Sequence, residues 1–194
     1  MKQDVDLKHA YRLLNHGPTV LVSAAHGGRR NVMAAAWAMP LDFDPPKVAV
    51  VLDKSTFTRT LLEAAGEFAL NIPCVALADA TVTVGNTSGH DGVDKFERYG
   101  LGAFAGRATG APLVEGCVGW LECRLLREPH IEQTYDLFLA EVVAAQADAR
   151  VFRAGHWEFA PEHEALRTIH HVAGGAFFSV GPMLQGKPLP KPLS

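Results

Sequence analysis

The sequence predicts a mainly β chain with short helices, its antiparallel strands closing into a barrel. Three observations carry this. Short apolar runs recur along the 194 residues, bounded by Gly, Pro, Asn or Asp. Two long runs, 114–129 and 134–145, follow one another across a brief connection, as antiparallel neighbours do. Helical spacing is confined to a few stretches, too few to cover both faces of a parallel sheet.

The length suits one domain, read here as residues 1–181, with a Pro-rich, mobile tail over 182–194. Hydrophobic content of 48% supports a real core. The net charge of −3, with no dense Lys/Arg block, argues against a nucleic-acid partner. Cys74, Cys117 and Cys123 have no CxxC spacing and read as buried thiols of a reducing, cytoplasmic environment. A signal peptide and a membrane span are not expected, because the N-terminus carries Asp4 and Asp6 and no apolar run is long enough.

Residues 4–14 have the spacing of a short amphipathic helix, stopped by Gly17-Pro18. Residues 19–25 and 31–39 read as a hairpin turning at Gly27-Gly28. The return strand holds a row of small residues, Ala34, Ala35 and Ala36, before Trp37. Such a row packs closely against a helix, or lets a flat ligand approach the backbone. Residues 41–46 form a tight connection and 47–52 a central strand. Ser55 or Thr56 caps a helix that Gly66 closes, and 67–72 is the next strand.

Residues 74–85 are mixed in propensity, and their spacing favours helix. A turn-rich loop and a short helix end at Gly100. Residues 101–112 read as loop, 129–132 as the connection between the long strands, and 148–164 as irregular. Two strands about Gly174-Gly175 complete the order.

Between the third strand and its helix lies a polar row, Asp53, Lys54, Ser55, Thr56, Thr58 and Arg59. Cations, hydroxyls and the free N–H groups of a helix start together suit a phosphate. Ordinary capping with solvated charges would use the same residues. No Walker, GxGxxG or GxSxG pattern occurs. His170 and His171 are adjacent on a strand and point to opposite faces, so they do not chelate one metal ion together.

Taken in order and spacing, these pieces resemble the flavin reductase-like family. These are FMN-binding split barrels that include flavoredoxin and the reductase components of two-component monooxygenases. The likeness rests on Pro18-Thr19-Val20, the Asn31 to Trp37 stretch with Pro40, and Thr58 placed before Glu67-Phe68 and Asn71-Ile72-Pro73. It continues through Thr87-Ser88-Gly89, Asp94-Lys95-Phe96, Trp120-Leu121-Glu122 and His170-His171 with Gly174-Gly175. The resemblance implies an FMN site. In it Asn31, Met33, Ala34, Ala35, Ala36 and Trp37 hold the ring edge, and Asp53, Lys54, Ser55 and Thr58 hold the ribityl phosphate. Thr87, Ser88, Gly89 and Lys95 lie at the same pocket, in one chain or across a homodimer.

The activity implied is NAD(P)H-dependent flavin reduction, with NADH or NADPH as donor and a partner monooxygenase or redox protein as acceptor. The cofactor carries the chemistry, so no catalytic acid or base is assigned. Two other readings stand beside it: an FMN-containing electron carrier without an efficient NAD(P)H site, and a non-redox flavin-binding protein.

Overall fold

The computed structural model describes residues 1–189. Strand β1 (Lys2–Asp4) opens the chain, and a 3-10 helix, Leu7–Leu13, follows it. The hairpin β2 (Val20–His26) and β3 (Arg29–Ala35) turns at Gly27 and Gly28, whose φ of 58° and 76° fit a two-residue turn. Next come β4 (Ala38–Phe43), β5 (Pro46–Val51), α1 (Phe57–Ala65) and β6 (Glu67–Ile72). A 3-10 turn leads into α2 (Ala78–Gly85), then α3 (Lys95–Arg98), β7 (Ala103–Ala105) and β8 (Pro112–Val114). The long strands β9 (Gly119–Leu126) and β10 (Leu137–Asp148) flank α4 (Pro129–Tyr135). The small pair β11 (Phe152–Arg153) and β12 (His156–Trp157) precedes a 3-10 helix, Pro161–Leu166. The hairpin β13 (Ile169–Ala173) and β14 (Ala176–Ser179) ends the regular structure.

The main sheet is antiparallel, in the order β3-β2-β6-β9-β10-β5-β4, with β1 also beside β10. Its two end strands, β3 and β4, are joined by Ala36 and Trp37 alone. Three peptide steps reach about 11 Å at most, so the sheet has to roll until its edges approach. No ladder joins β3 to β4 among the described residues. The roll is closed by the chain and left open in hydrogen bonding along this seam.

The period of two along each strand sorts side chains into two cores. Val20 and Val22 of β2, Leu70 of β6, Leu121 of β9 and Phe138 of β10 fill the inside with Leu61 and Leu62 of α1. Leu21, Val32, Ala69 and Trp120, from intervening positions, pack on the other face with Val84, Phe96 and Leu113. Buried Asn71 ties the layers: its amide donates to Leu21 O at 2.8 Å and its oxygen accepts Val114 N–H at 2.8 Å.

Several expectations are corrected. The N-terminal helix over 4–14 gives way to β1 and a 3-10 helix, because Lys2, Gln3 and Asp4 pair with Asp148, Ala147 and Gln146. The single strand over 31–39 breaks at Ala36-Trp37, where the chain crosses the seam. The connection 41–46 is largely strand, since β4 runs on to Phe43. Residues 101–112 contain the β7–β8 pairing, and 148–164 contain β11–β12. The connection 129–132 is helix α4, with Pro129 in its first turn, where proline's missing N–H has no partner to lose. Of the tail, 182–189 has no regular structure and 190–194 lies outside the described residues. No described helix is long and apolar enough to cross a membrane.

Candidate functional site

A cavity of about 720 Å³ lies at the seam, within the range of small-molecule and cofactor sites. Its floor is the end of β3 and the crossing residues: Met33, Ala34, Ala35, Ala36 and Trp37 all line it. One wall is α2, through Thr81, Val82, Gly85 and Asn86. Asp53 and the α4 C-terminus at Tyr135 and Asp136 line the cavity as well. The β13–β14 hairpin adds His171, Gly174, Gly175 and Phe177 to the lining.

Small side chains make this space. A Cβ on Gly85 would stand 3.2 Å from that of Ala34, so α2 and β3 are as close as these residues allow. Strand β3 has a neighbour, β2, on one side only. Successive backbone groups of a strand alternate in direction. Counting from the His26–Arg29 pair that closes the two-residue turn, Val32 falls at a non-hydrogen-bonded position opposite Ser23, so its carbonyl points to the open edge, where it accepts from Lys95. By alternation the backbone groups of Ala34, the next residue of that set, face the open edge too, where the cavity lies.

Two loops run from the cavity to a polar cluster. One leaves at Asp53 toward the start of α1, the other at Asn86 toward Gly89. At their meeting the Asn31 amide donates to the Thr58 hydroxyl at 2.9 Å, with both residues fully buried. The amide oxygen of Asn31 has no partner among the described residues. A Cβ on Gly89 would fall 2.7 Å from that oxygen and 2.7 Å from the Phe57 ring, so only glycine fits. Arg29 lies 4.0 Å over the Phe57 ring and donates to Gly89 O at 3.3 Å. His90 Nε2 is 2.9 Å from Ser55 O. Thr56 caps α1 without a side-chain hydrogen bond, so its first N–H groups remain available.

The remaining residues of the expected site are placed as follows. Ser55 spends its hydroxyl on Asp53 Oδ1 at 2.6 Å, and this bond holds the exposed Asp53 carboxyl below its usual range. Lys54 is exposed on the same loop. Thr87 donates to Thr83 O at 3.0 Å, and the Ser88 hydroxyl accepts His90 N–H at 3.1 Å. Lys95 does not line the cavity; it is buried, with its ammonium on Val32 O at the open edge of β3. Arg59, grouped with the polar row in the sequence, turns away from it. It donates to Leu52 O at 3.1 Å and Glu132 O at 3.0 Å and pairs with Asp136.

The two adjacent histidines part as strand geometry requires. His171 lines the cavity, while His170 meets His16 with ring centroids 5.5 Å apart. Burial, and secondarily His170, lowers the His16 pKa to about 4. Tyr135 and Asp136 carried no sequence signal, because 129–132 read as a connection and 134–145 as a strand, whereas α4 runs on to Tyr135 and β10 starts at Leu137. Arg29 and His90 could have been noticed as a cation and an imidazole flanking Asn31 and Gly89.

Residues 12–160 match the flavin reductase like domain. The chain belongs to the flavin reductase-like family. Relatives and solved structures agree with it. The Escherichia coli protein YddH, itself uncharacterized, is 49% identical over 180 residues, covering 91% of this chain and 94% of that protein. RutF of Ancylobacter novellus, an FMN reductase (NADH), is 29% identical over 136 residues, covering 70% and 71%. The crystal structure of an FMN-binding domain of a flavin reductases-like enzyme from Shewanella baltica superposes with a TM-score of 0.92 at 46% identity, covering 96% of this chain and 98% of that one. The mainly antiparallel β architecture with short helices is thus that of a flavin reductase-like fold.

Proposed function

We propose that the seam cavity binds FMN and that the protein is an NAD(P)H-dependent flavin reductase. The observation that carries this is the pairing of a slot walled by alanines with a polar cluster at its end whose buried Asn31 amide is half satisfied. A planar ring needs close backbone approach, and Ala34, Ala35, Ala36 and Gly85 permit it. A phosphate needs donors, and the α1 N-terminus, Asn31 held by Thr58, and the nearby Arg29 supply them. Amide oxygen and nitrogen are assigned from partners rather than seen. Turned over, Asn31 would accept from Thr58 and present its NH₂ to the anion. Ser55, Thr87, Ser88 and Gly89 border this end, and Lys54 adds charge to its rim.

When bound, FMN supplies a two-electron carrier that accepts hydride from a nicotinamide. The chain's own contribution is binding, orientation and exclusion of water. The open-edge backbone N–H groups of β3 would hold the ring, and such fixed dipoles favour its reduced form. Trp37 and Tyr135 flank the cavity and are 74% and 62% exposed, leaving one side of the slot open to a donor. The 29% identical RutF is named for NADH, which favours that donor.

Anaerobic titration of the FMN-loaded protein tests this. NADH or NADPH should bleach the flavin absorbance. Retention of colour would favour the electron carrier, and a protein that stays colourless with added FMN would remove the flavin reading.

The same reading includes a homodimer. Edge strand β4 presents Met39, Leu41 and Phe43 outward at 55%, 47% and 65% exposure, continuous in sequence with Trp37. An apolar stripe beside an open cavity is suited to a two-fold contact, which covers both copies with one patch. Light scattering should give twice the chain mass; a monomeric mass with FMN tightly bound would sink the shared-site arrangement.

A further inference from the structure

Lys95 is 2% exposed. Its ammonium donates to Val32 O of β3 at 3.0 Å and to Val84 O of α2 at 2.8 Å. It takes part in no ion pair among the described residues. The charges on the elements around it are engaged elsewhere or face water. Arg30 of β3 holds Asp94, at the head of α3, at 2.7 Å and reaches Glu97 at 4.0 Å. Arg98 of α3 and Asp79 of α2 are exposed. A buried, unpaired cation costs stability, so its position calls for a reason. Val32 and Val84 each precede residues of the cavity wall, Met33 and Ala34 on one side and Gly85 and Asn86 on the other. The ammonium therefore bridges β3 and α2 at the residues just before the slot's lining, Val32 and Val84.

We propose that the buried Lys95 ammonium biases the cavity toward the anionic, two-electron-reduced form of its ring, acting through the β3 and α2 walls without touching the ring. The proposal rests on the FMN reading above. Reduction adds two electrons and one proton to the oxidised ring, so the bound group gains one negative charge. A cation fixed in a weakly screened interior stabilises that charge more than it stabilises the neutral ring. Lys95 is thus a positioning residue. Desolvation lowers its pKa to about 8, so the charge is present at neutral pH and lost in mild alkali.

The test compares wild type with Lys95→Met and Lys95→Gln. Bound and free FMN are reduced with dithionite, which is oxidised to sulfite while water supplies the proton. The two potentials give the ratio of dissociation constants for oxidised and reduced FMN. At pH 7 this ratio should be about tenfold larger in wild type than in either variant. By pH 9.5 the gap should close, since wild type has lost its charge. A second readout needs no flavin. The folded pKa of about 8 lies below the unfolded value of 10.5, so between them the unfolded chain binds more protons and stability rises with pH. Urea melts of the apoprotein should show that rise in wild type and not in Lys95→Met.

Equal ratios at pH 7, or a wild-type ratio that ignores pH after the free-ring value is subtracted, would overturn the proposal while leaving the FMN reading intact. Wild type that binds no FMN would instead bring down that reading, and this proposal with it. Should both variants fail to fold, the wild-type pH profile alone decides.

Discussion

Arg59→Ala should destabilise the protein by about 3–5 kcal/mol, the typical cost of removing one partner from a buried ion pair. The side chain is 8% exposed and links three elements. Within α1 it pairs with Glu63 at 3.0 Å; across the fold it holds Leu52 O at 3.1 Å, Glu132 O at 3.0 Å and the carboxylate of Asp136. Its guanidinium also lies 4.9 Å from the Phe138 ring centroid. Removal strands two carbonyls and a carboxylate near the end of α4, where Asp136 sits at φ 55°. Urea unfolding measures the loss. Arg59→Lys should recover only part of it, since one ammonium cannot reproduce the planar fork. A change under about 1 kcal/mol for Arg59→Ala would mean that this network forms part of no stabilising unit.

Ala36→Leu should weaken FMN binding by roughly ten- to a hundredfold, equivalent to about 1–3 kcal/mol of overpacking, with little change in the melting profile. Ala36 lines the cavity yet is exposed, so a larger side chain enters the slot and meets no core residue. Fluorescence titration of free FMN supplies the affinity and a urea melt controls for folding. Normal affinity in a folded variant would show that the alanine row serves packing alone and that the ring lies elsewhere.

The order of elements was largely readable because local signals agree with the fold. The strand Glu67–Ile72 follows a glycine, Gly66, whose φ of 73° ends α1 as the sequence suggests. The Gly27-Gly28 turn and the α2 segment were legible for the same reason. What escaped depends on distant partners. Strand β1 exists because β10, more than a hundred residues on, offers an edge. Helix α4 was hidden because 129–132 read as a mere connection between long strands, although proline is at home in a helix's first turn. The direction of Arg59 is set by Glu132 and Asp136, invisible from its own neighbourhood. Within the candidate site, the alanine row and the Thr58–Asn31 association lie in stretches that the sequence singled out. Lys95, which the resemblance set at the pocket, is buried between β3 and α2, a packing that its own stretch of sequence does not reveal.

The seam between β3 and β4 has a bearing on how such a site drifts over generations. Main-chain donors come with every residue type except proline. A floor that offers backbone groups therefore keeps its chemistry through most substitutions, provided the replacements stay small. On the proposed FMN reading, the mutational tolerance of Met33 to Trp37 is set by volume and by the exclusion of proline, rather than by side-chain function. Divergent sequences can thus share one recognition surface while few of their side chains coincide.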